Sequence, residues 1–384
     1  MRHQNSVFHQ IQKHIPWSVF DRLVDDHKAD HRVRRLTTRS QFLALLFGQL
    51  SGAASLREIE AGLSSQKARL YHLGGRCVAR ASLADANARR PWAVFADLFS
   101  HMANAASRRT RRHIRDAVRL LDATRITLSP LSGGWADMVS GHRAVKLHVC
   151  YDPDAGLPLA MTPSGQKTND IIPAKAMAVV PGMTYVFDLG YYDFGWWATI
   201  DAAGARFVTR LKSNSRLEAV TQLPLTGGTA ILSDGIGLLP ERMARSRTNP
   251  FSDPLREIVV TIQSGKIIRL VTNDLDAPAQ EIAALYKQRW QIELFFKWIK
   301  QNLKIGHFLG NSENAVRIQV FVALIAYLVL RAAQACQDTV EKALEFARLV
   351  RLNLMHRRPI DALRAPKPPP PNDGRQMAFD FAPT

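Results

Sequence analysis

Cysteine is scarce in this chain of 384 residues: only Cys77, Cys150 and Cys336 are present, far apart and without CxxC spacing. An odd number of distant cysteines supports neither a disulfide framework nor a zinc ribbon. The first residues, MRHQNSVFHQIQKHIPW, also lack the unbroken apolar core of a secretory signal. We therefore expect a protein of the reducing cytoplasm.

Long apolar runs are missing as well. No run reaches the roughly 18 to 20 apolar residues that span a bilayer, and the longest, Val320 to Ala333, predicts a buried helix. The histidines show no HExxH motif or other paired ligand spacing, and the chain has no Walker-type phosphate loop. These absences argue against a membrane-spanning protein, a zinc hydrolase and an ATP-driven DNA motor.

Acidic residues are outnumbered: the chain has 33 Asp and Glu against 51 Lys and Arg, which gives a formal net charge of +18. Such an excess along the whole chain is typical of proteins that bind polyanions, and nucleic acid is the leading partner. A basic protein of the membrane surface is the competing interpretation. The length and the 46% of hydrophobic residues predict two or three domains with ample cores.

Residues 1–106 show helical periodicity and no strand signals, and we predict an all-helical DNA-binding domain with helices over 18–26, 38–50, 56–63 and 91–105. Ser55, followed three residues later by Glu58, has the pattern of a capping box. Cations beside these helices are placed to lie along phosphates, and a purely structural basic bundle is the alternative. The cations are Lys28, His31, Arg32, Arg34, Arg35, Arg76, Arg80, Arg89 and Arg90.

Two further segments have the composition of linkers. Residues 107–116 are rich in arginine and are predicted to be a basic linker, either solvated or gripping phosphates. Residues 351–384 are predicted to be a Pro-rich, disordered tail, because Pro368 to Pro371 belong to a stiff polyproline run.

From residue 117 the pattern changes to strands. Strands are predicted over 117–128, 144–152, 157–165, 184–190 and 205–212, and helices over 169–180 and through Trp196 and Trp197. The order βββαβαβ, followed by a late helix, is that of a ribonuclease H-like core. The predicted fold class is therefore mixed α/β (α+β), with a mixed sheet in a domain over 117–350.

Two aspartates end apolar runs within the predicted strands: Asp122 follows VRLL and Asp188 follows YVF. A lone Asp at such a position is more often a turn or cap residue. Two of them on adjacent strands, joined by Glu293 on the late helix, fit a site in which carboxylates bind divalent metal ions. Asp152, Asp170, Asp193 and Asp201 are rival acids in the same region, and Asp193 is the reserve candidate.

The segment 286–300, YKQRWQIELFFKWIK, carries polar residues at Tyr-x2-Arg-x3-Glu-x6-Lys spacing. On one helix, Tyr286, Arg289, Glu293 and Lys300 lie within about 60° of one another. The neighbouring stripe is apolar, so one face packs while the other presents a carboxylate between cations. An ordinary amphipathic helix with a solvated polar face is the competing interpretation.

Together these motifs resemble the DDE transposases of the bacterial insertion-sequence-four family. The resemblance is carried by LLDAT around Asp122, FDLGYYD around Asp188, FVTRLK over 207–212 and the Tyr-Arg-Glu-Lys signature. It covers about residues 118–333, with a looser similarity of the helical N-terminal segment to the family's DNA-binding modules.

The resemblance implies a catalytic triad of Asp122, Asp188 and Glu293 that holds two Mg²⁺ ions, for which Mn²⁺ can substitute, with Asp122 bridging both. It implies hydrolysis at the ends of the element, followed by transfer of the 3′-hydroxyl to target DNA. The implied partners are terminal inverted repeats, target DNA and a second subunit in a synaptic complex. The implied DNA contacts are Tyr286, Arg289, Lys300, Arg210, Lys212 and Trp290, although Trp290 and Trp298 also fit plain packing.

The long interval between Asp188 and Glu293 predicts the family's inserted β-rich subdomain over 213–277, with a hairpin formed by 256–262 and 266–275. Related transposases that form hairpin ends hold a flipped base on an aromatic residue of this insertion. Here the insertion has no Trp, which puts a hairpin intermediate in doubt.

Alternatives remain open at this stage. A catalytically silent, transposase-derived DNA-binding protein and a ribonuclease H-fold nuclease without strand transfer fit the same residues. In the tail, Gln376 to Phe381 resembles short peptides that dock on the bacterial sliding clamp, and a featureless tail is the alternative. The expected location is the bacterial cytoplasm, in association with the nucleoid.

Overall fold

The N-terminal region is helical in the computed structural model, which describes residues 5–70, 74–111, 117–139, 141–225, 230–241, 248–262, 264–302 and 308–364. Capping signals in the sequence begin two of the helices, since Thr37 accepts a hydrogen bond from the Ser40 amide and Ser55 from that of Glu58. The helices are α1 Val7–Gln12, α2 Trp17–Asp26, α3 Thr38–Ser51, α4 Leu56–Ser65, α5 Lys67–Leu70, α6 Arg80–Arg89 and α7 Ala93–Arg111. The short α1 and α5, and the weakly amphipathic α6, were not predicted.

A mixed sheet follows, as the sequence predicts. Strand β1 is antiparallel to β3, and β3 to β4, whereas β1 is parallel to β5, and β5 to β6. This arrangement, β4-β3-β1-β5-β6, is a ribonuclease H-like core and confirms the predicted fold class. The elements are β1 Val118–Thr127, β2 Met138–Val139, β3 His142–Asp152, β4 Leu157–Gly165, α8 Ile171–Lys175, β5 Thr184–Phe187, α9 Phe194–Ala202 and β6 Arg206–Arg210.

One predicted helix is much shorter than expected. Instead of covering 169–180, α8 ends at Lys175, and the Met177 amide turns back to the Ala174 carbonyl. The amide of Val180 donates to the Tyr185 hydroxyl, so this stretch is tied to β5 instead of continuing the helix.

The insertion adds four strands, β7 Glu218–Gln222, β8 Ile231–Leu238, β9 Leu255–Thr261 and β10 Ile267–Thr272. The predicted hairpin is β9 with β10. Neither β7 nor β8 was predicted, because every residue of β7 is exposed and glycines interrupt the strand pattern of ILSDGIGL in β8. These glycines are needed: a Cβ at Gly237 would lie 2.8 Å from the Glu218 carbonyl oxygen. Since β10 pairs antiparallel with β6, the insertion extends the core sheet and is not a separate sheet.

Four helices complete the fold: α10 Ala279–Gln288, α11 Trp290–Asn302, α12 Glu313–Gln334 and α13 Ala343–Asn353. Helix α12 is long and apolar enough to cross a membrane, but 83% of its most apolar window is buried inside the protein. It packs against α3, α6, α7 and α13, and Phe321 stacks on Trp92 with ring centres 5.7 Å apart. The N-terminal helices therefore close around α12 and share its apolar core, across the predicted boundary at residue 106.

Packed structure extends into both predicted linkers. Helix α7 continues through Arg111, because Ser107 is buried and donates a hydrogen bond to Asp152 at 2.6 Å. At the other end, α13 runs to Asn353, and Leu354 and Leu363 are buried, so the chain stays packed to at least residue 363. Residues 112–116 and 365–384, with the polyproline run and Gln376 to Phe381, lie outside the described residues.

The sheet separates two apolar clusters. One lies between the sheet and helices α7, α11 and α12 and continues into the N-terminal helices, while the other lies under α9 on the opposite face. Alternate strand residues point to alternate faces, so Leu120 joins the first cluster and Leu121 the second. The candidate acids are held at the edge of this firmly packed layer.

Candidate active site

The two aspartates of the predicted triad lie side by side in the sheet, Asp122 within β1 and Asp188 directly after the end of the parallel strand β5. Leu121 in β1 is in register with Phe187, the last residue of β5, and an aspartate follows each of them. Asp122 accepts a hydrogen bond from the following amide at 2.8 Å, and Asp188 accepts one from the Gly190 amide at 2.8 Å. Pairing of the strands thus brings both carboxylates side by side.

Glu293 approaches the aspartates from α11, which packs on β1. The Arg289 guanidinium lies between the acids, since its Nη2 donates to Glu293 Oε1 at 2.5 Å and its Nη1 lies 3.5 Å from Asp122 Oδ2. The single helix predicted over 286–300 is in fact two helices that meet at Arg289, because its amide bonds to the Tyr286 carbonyl and tightens the last turn of α10.

The three carboxylates share one electrostatic environment. Burial raises the pKa of Asp122 to about 6; the Ala123 amide and Arg289 lower it, while the charges of Asp188 and Glu293 raise it. Carboxylate oxygens are the hard ligands that Mg²⁺ and Mn²⁺ prefer, so the donor set fits a divalent cation chemically. Within the described ranges, no three Asp, Glu, His or Cys side chains converge enough to hold an ion, and Arg289 occupies the space between two of the acids.

Aromatic and cationic groups surround the acids. The Arg289 guanidinium lies 5.9 Å from the centre of the Tyr286 ring. Burial raises the pKa of the Tyr286 hydroxyl, while Arg210 and Arg289 lower it, which places Arg210 in the same group. The buried Nε atoms of Arg210 and Arg289 have no hydrogen-bond partner in the part of the chain that the structure describes. Each arginine therefore has one buried donor that is unsatisfied among the described groups.

Lys212 and Lys300 lie at the margin of this group. Lys212 Nζ lies 4.3 Å from the centre of the Tyr192 ring and is exposed. Lys300 is exposed in the last turn of α11. Neither contacts the three acids.

A cavity of about 1080 Å³ opens between the insertion and α10, beside the acids. Its apolar lining comes from β8, β9 and β10, and Arg210, Tyr286, Lys287 and Arg289 contribute polar groups. Trp290 also lines it and is 58% exposed, so this side chain is not part of the core. Trp298, by contrast, packs edge to face on Tyr327 at 4.8 Å.

A second charged pair, Lys146 with Asp170, borders Asp188. Sequence reasoning weighed Asp170 as a rival acid but missed Lys146 and the pairing. A Cβ at Gly190 would lie 3.0 Å from Asp188 Oδ1 and 3.2 Å from Asp170 Oδ2, so the two carboxylates are close neighbours. Lys146 Nζ lies 2.8 Å from Asp170 Oδ1. The available signal was Lys146 alternating with His148 on one face of an otherwise apolar strand.

The other rival acids have structural partners. Asp193, the reserve candidate, accepts the Trp196 amide as N-cap of α9 and lies 2.7 Å from Lys175 Nζ. Asp152 pairs with Arg119 at 3.2 Å, and Asp201 accepts a hydrogen bond from the Asn273 side chain at 2.6 Å.

Two family models match the chain. Residues 114–329 match the transposase DDE domain. Residues 3–76 match DUF4372, a domain of unknown function.

Relatives that match large parts of this chain carry transposase names. A protein of Sinorhizobium fredii, named as transposase y4zB, is 44% identical over 308 residues, which are 78% of this chain and 85% of the relative. A protein of Geobacillus stearothermophilus, named as a transposase for insertion sequence element IS5377, is 30% identical over 245 residues, 63% of each chain. A Synechocystis protein named for insertion sequence element IS4SA is 28% identical over 175 residues, 44% of each chain.

A solved structure, the piggyBac transposase synaptic complex with hairpin DNA, aligns with a TM-score of 0.45 and 12% identity over 91% of this chain and 78% of that one. The family assignment rests on sequence. The DDE domain match covers more than half of the chain, and the Sinorhizobium relative is matched over most of its own length. The chain therefore belongs to the DDE transposases of insertion sequences, enzymes that act on DNA and depend on divalent metal ions.

Proposed function

We propose that this transposase hydrolyses DNA at the ends of its element and then joins the free 3′-hydroxyl to target DNA by in-line attack. The observation that carries the proposal is the meeting of Asp122, within β1, and Asp188, directly after the parallel strand β5, with Glu293 from a helix packed on β1. The charges of Asp188 and Glu293 both raise the pKa of Asp122, which supports one shared site. Several converging carboxylates are what phosphoryl transfer with two metal ions requires.

Asp122, Asp188 and Glu293 are the residues that would hold Mg²⁺, or Mn²⁺ in its place. When bound, the ions supply an activated oxygen nucleophile and stabilise the charge on the leaving oxygen. The chain's own part is to fix these carboxylates on a rigid sheet, in a partly buried setting where ordered charges act strongly.

The groups around the acids are suited to grip DNA next to the cleaved bond. Arg289 and Arg210 each keep a buried donor without a partner among the described residues, and a guanidinium fork matches phosphate geometry. Tyr286 is close enough to both arginines for their charges to lower the pKa of its hydroxyl. Lys212 and Lys300 add exposed cations for the DNA backbone. Trp290, exposed at the wall of the large cavity, is placed to stack on a base.

Several broader features belong to the same proposal. Within the DDE transposases, the chain is proposed to be a member of the insertion-sequence-four family that works in the bacterial cytoplasm at the nucleoid, and the Tyr-Arg-Glu-Lys spacing supports the family proposal. The N-terminal helices bind DNA, and two subunits pair the element ends in a synaptic complex. Gln376 to Phe381 docks on the sliding clamp; a pull-down with Phe379 and Phe381 changed to Ala that showed undiminished clamp capture would rule this out.

The reaction is tested with the full chain and Mg²⁺ on DNA that carries the element's own terminal repeats. Wild type is expected to cleave the ends and to join them to a target plasmid, whereas Asp122→Asn and Glu293→Gln lose both activities. Asp193→Asn serves as the matched control, because that carboxylate caps a helix. Cleavage without joining would identify a nuclease, and undiminished activity in either triad variant would refute the assigned site.

A further inference from the structure

A second cationic site lies in the N-terminal region, in a cleft of about 580 Å³ between the α2–α3 loop and α6. We infer that this cleft binds the phosphate backbone of duplex DNA, at a place separate from the catalytic acids. The inference rests on the proposed function, because it names the surface by which the DUF4372 region would hold the transposase's own substrate. We call this feature the loop cleft; its cationic residues include Lys28, Arg32, Arg34, Arg35 and Arg89.

The charges of the loop cleft are available to a ligand. Lys28, Arg32, Arg34 and Arg35 are exposed, and none has an acidic partner in the described parts of the chain. Arg89 contacts Asp85, the acid that lines the cleft. Both side chains of that pair are exposed, so the pair is worth little and yields readily to a phosphate.

The loop is fixed by buried polar contacts. Asp30 accepts hydrogen bonds from the Thr38 amide at 2.7 Å and from the Thr38 hydroxyl at 2.8 Å. The buried Arg90 donates to the Leu36 carbonyl and, at 3.2 Å, to Gln41, which in turn donates to Asn87. The wall of the cleft is therefore built before any ligand arrives, which lowers the entropy cost of binding.

Two cations of the loop lie at positions of positive φ, Lys28 at 50° and Arg32 at 58°. Lys28 follows the C-cap of α2, where the Lys28 and Ala29 amides donate to the Asp25 and Val24 carbonyls, so its left-handed conformation ends the helix. A left-handed residue with a Cβ costs on the order of 1 kcal/mol, and glycine would avoid this cost. Arg32→Gly therefore removes a cation and relieves the backbone in one change.

A test compares salt dependence of DNA binding by the full chain. Arg34→Ala/Arg35→Ala is expected to weaken binding roughly tenfold and to reduce the slope of log K against log salt by about 2. The loss should be equal on terminal-repeat and unrelated duplexes, because phosphates carry no sequence. Arg22→Ala/Arg57→Ala removes the same charge from exposed positions outside the cleft, and should leave the slope unchanged.

Arg32→Gly separates binding from folding. This change removes a cation and relieves a left-handed residue, so the melting temperature should stay the same or rise while DNA binding weakens. The inference is overturned if cleft and control variants bind with the same affinity and slope, or if affinity falls with an unchanged slope.

The same experiment distinguishes this inference from the proposed reaction. Asp122→Asn should bind duplex DNA as wild type does and fail to cleave it, while the cleft variants should cleave once low salt and excess protein restore occupancy. Loss of binding in the cleft variants without any cleavage by wild type would leave the loop cleft standing and refute the reaction.

Discussion

At the scale of single residues, Arg289 has two possible partners. In the protein alone it neutralises Glu293 and lies beside Asp122. A metal ion needs the same carboxylate oxygens, and a DNA phosphate would attract the same guanidinium. Substrate and metal are thus expected to cooperate, because a phosphate that draws Arg289 away also frees the acids.

Arg289→Ala is accordingly expected to affect metal binding and catalysis in opposite directions. Without DNA, the affinity for Mn²⁺ should rise roughly tenfold, since a charge-assisted hydrogen bond of about 1.5 kcal/mol no longer competes. DNA cleavage should fall, because the phosphate loses its guanidinium. Calorimetric titration with Mn²⁺ and an end-cleavage assay measure the two effects.

Two controls accompany this measurement. Lys297→Ala removes an exposed cation of the same helix and should change neither quantity, whereas Asp122→Asn should abolish Mn²⁺ binding. An Mn²⁺ affinity in Arg289→Ala equal to or below that of wild type would show that the guanidinium does not compete with metal.

The buried charge of Asp122 should cost stability in the absence of metal. Its pKa rises from 3.8 to about 6 through burial, so the folded state holds the proton more tightly and stability falls as pH rises through that interval. Asp122→Asn should therefore raise the free energy of unfolding by about 1 to 3 kcal/mol at pH 8, and by less at pH 5. Urea denaturation in the presence of a chelator measures both values.

Asp193→Asn makes the same chemical change at a carboxylate that has stabilising partners. Its carboxylate caps α9 and pairs with Lys175, so the substitution should leave stability unchanged or lower it slightly at both pH values. A destabilised Asp122→Asn at pH 8 would contradict the electrostatic argument.

At the scale of elements, the turn after β5 decides where the Asp188 carboxylate lies. A Cβ at Gly190 would sit 3.0 Å from Asp188 Oδ1 and 3.2 Å from Asp170 Oδ2. Gly190→Ala should therefore displace the carboxylate by a few tenths of an ångström and slow cleavage about tenfold at saturating metal and DNA, because catalytic positions tolerate little error.

Gly134→Ala is the matched control for this turn, since a Cβ there meets nothing within 4 Å. Both variants should melt within a few degrees of wild type. Equal cleavage rates in the two variants would mean that the turn does not set the position of Asp188.

Elements whose pattern is local were predictable from the sequence. Strands β1, β3 and β4 lie close to their expected positions because each is a continuous apolar or alternating run. Strand β7 escaped prediction because all of its residues are exposed, so it has no buried apolar face. Strand β8 escaped prediction because Gly235 and Gly237 are dictated by the close approach of β7. Such glycines break the pattern in the sequence and allow the pairing in the fold.

The residues of the active site were likewise predictable only where the sequence pattern is local. Asp122, Asp188 and Glu293 could be proposed because each ends an apolar run or interrupts a helical stripe. The Lys146–Asp170 pair beside Asp188 could not, because it depends on where β3 lies relative to the loop before α8. The interposed position of Arg289 likewise depends on the break between α10 and α11.

At the scale of the whole molecule, one apolar core joins the N-terminal helices to the catalytic sheet. Helix α7 packs on both β4 and α12, and α12 also fills the space among α3, α6 and α13. The partner surface of the N-terminal helices thus comes from more than 200 residues later in the chain. The helical pattern of residues 1–106 suggested a separate domain, because the sequence does not reveal a contact between segments so far apart in the chain.

A shared core predicts a single cooperative unfolding transition. Phe321 of α12 is buried and stacks on Trp92 at 5.7 Å, with Phe99 at 6.0 Å. Phe321→Ala should lower the free energy of unfolding by about 3 to 5 kcal/mol, and the N-terminal helices and the sheet should still melt together. Leu352→Ala, at a position 73% exposed, should have little effect.

Tryptophans allow the two regions to be followed separately. Two single-tryptophan proteins are made, in each of which all other tryptophans are changed to Phe. One keeps Trp17, which reports on the N-terminal helices, and the other keeps Trp197, which reports on the core beneath α9. Both signals and the far-ultraviolet circular dichroism should give one urea midpoint in wild type and one lower midpoint in Phe321→Ala. If the Trp17 signal were lost at a lower urea concentration while Trp197 kept its own midpoint, the N-terminal helices would fold independently, and α12 would be a docking surface instead of part of one core.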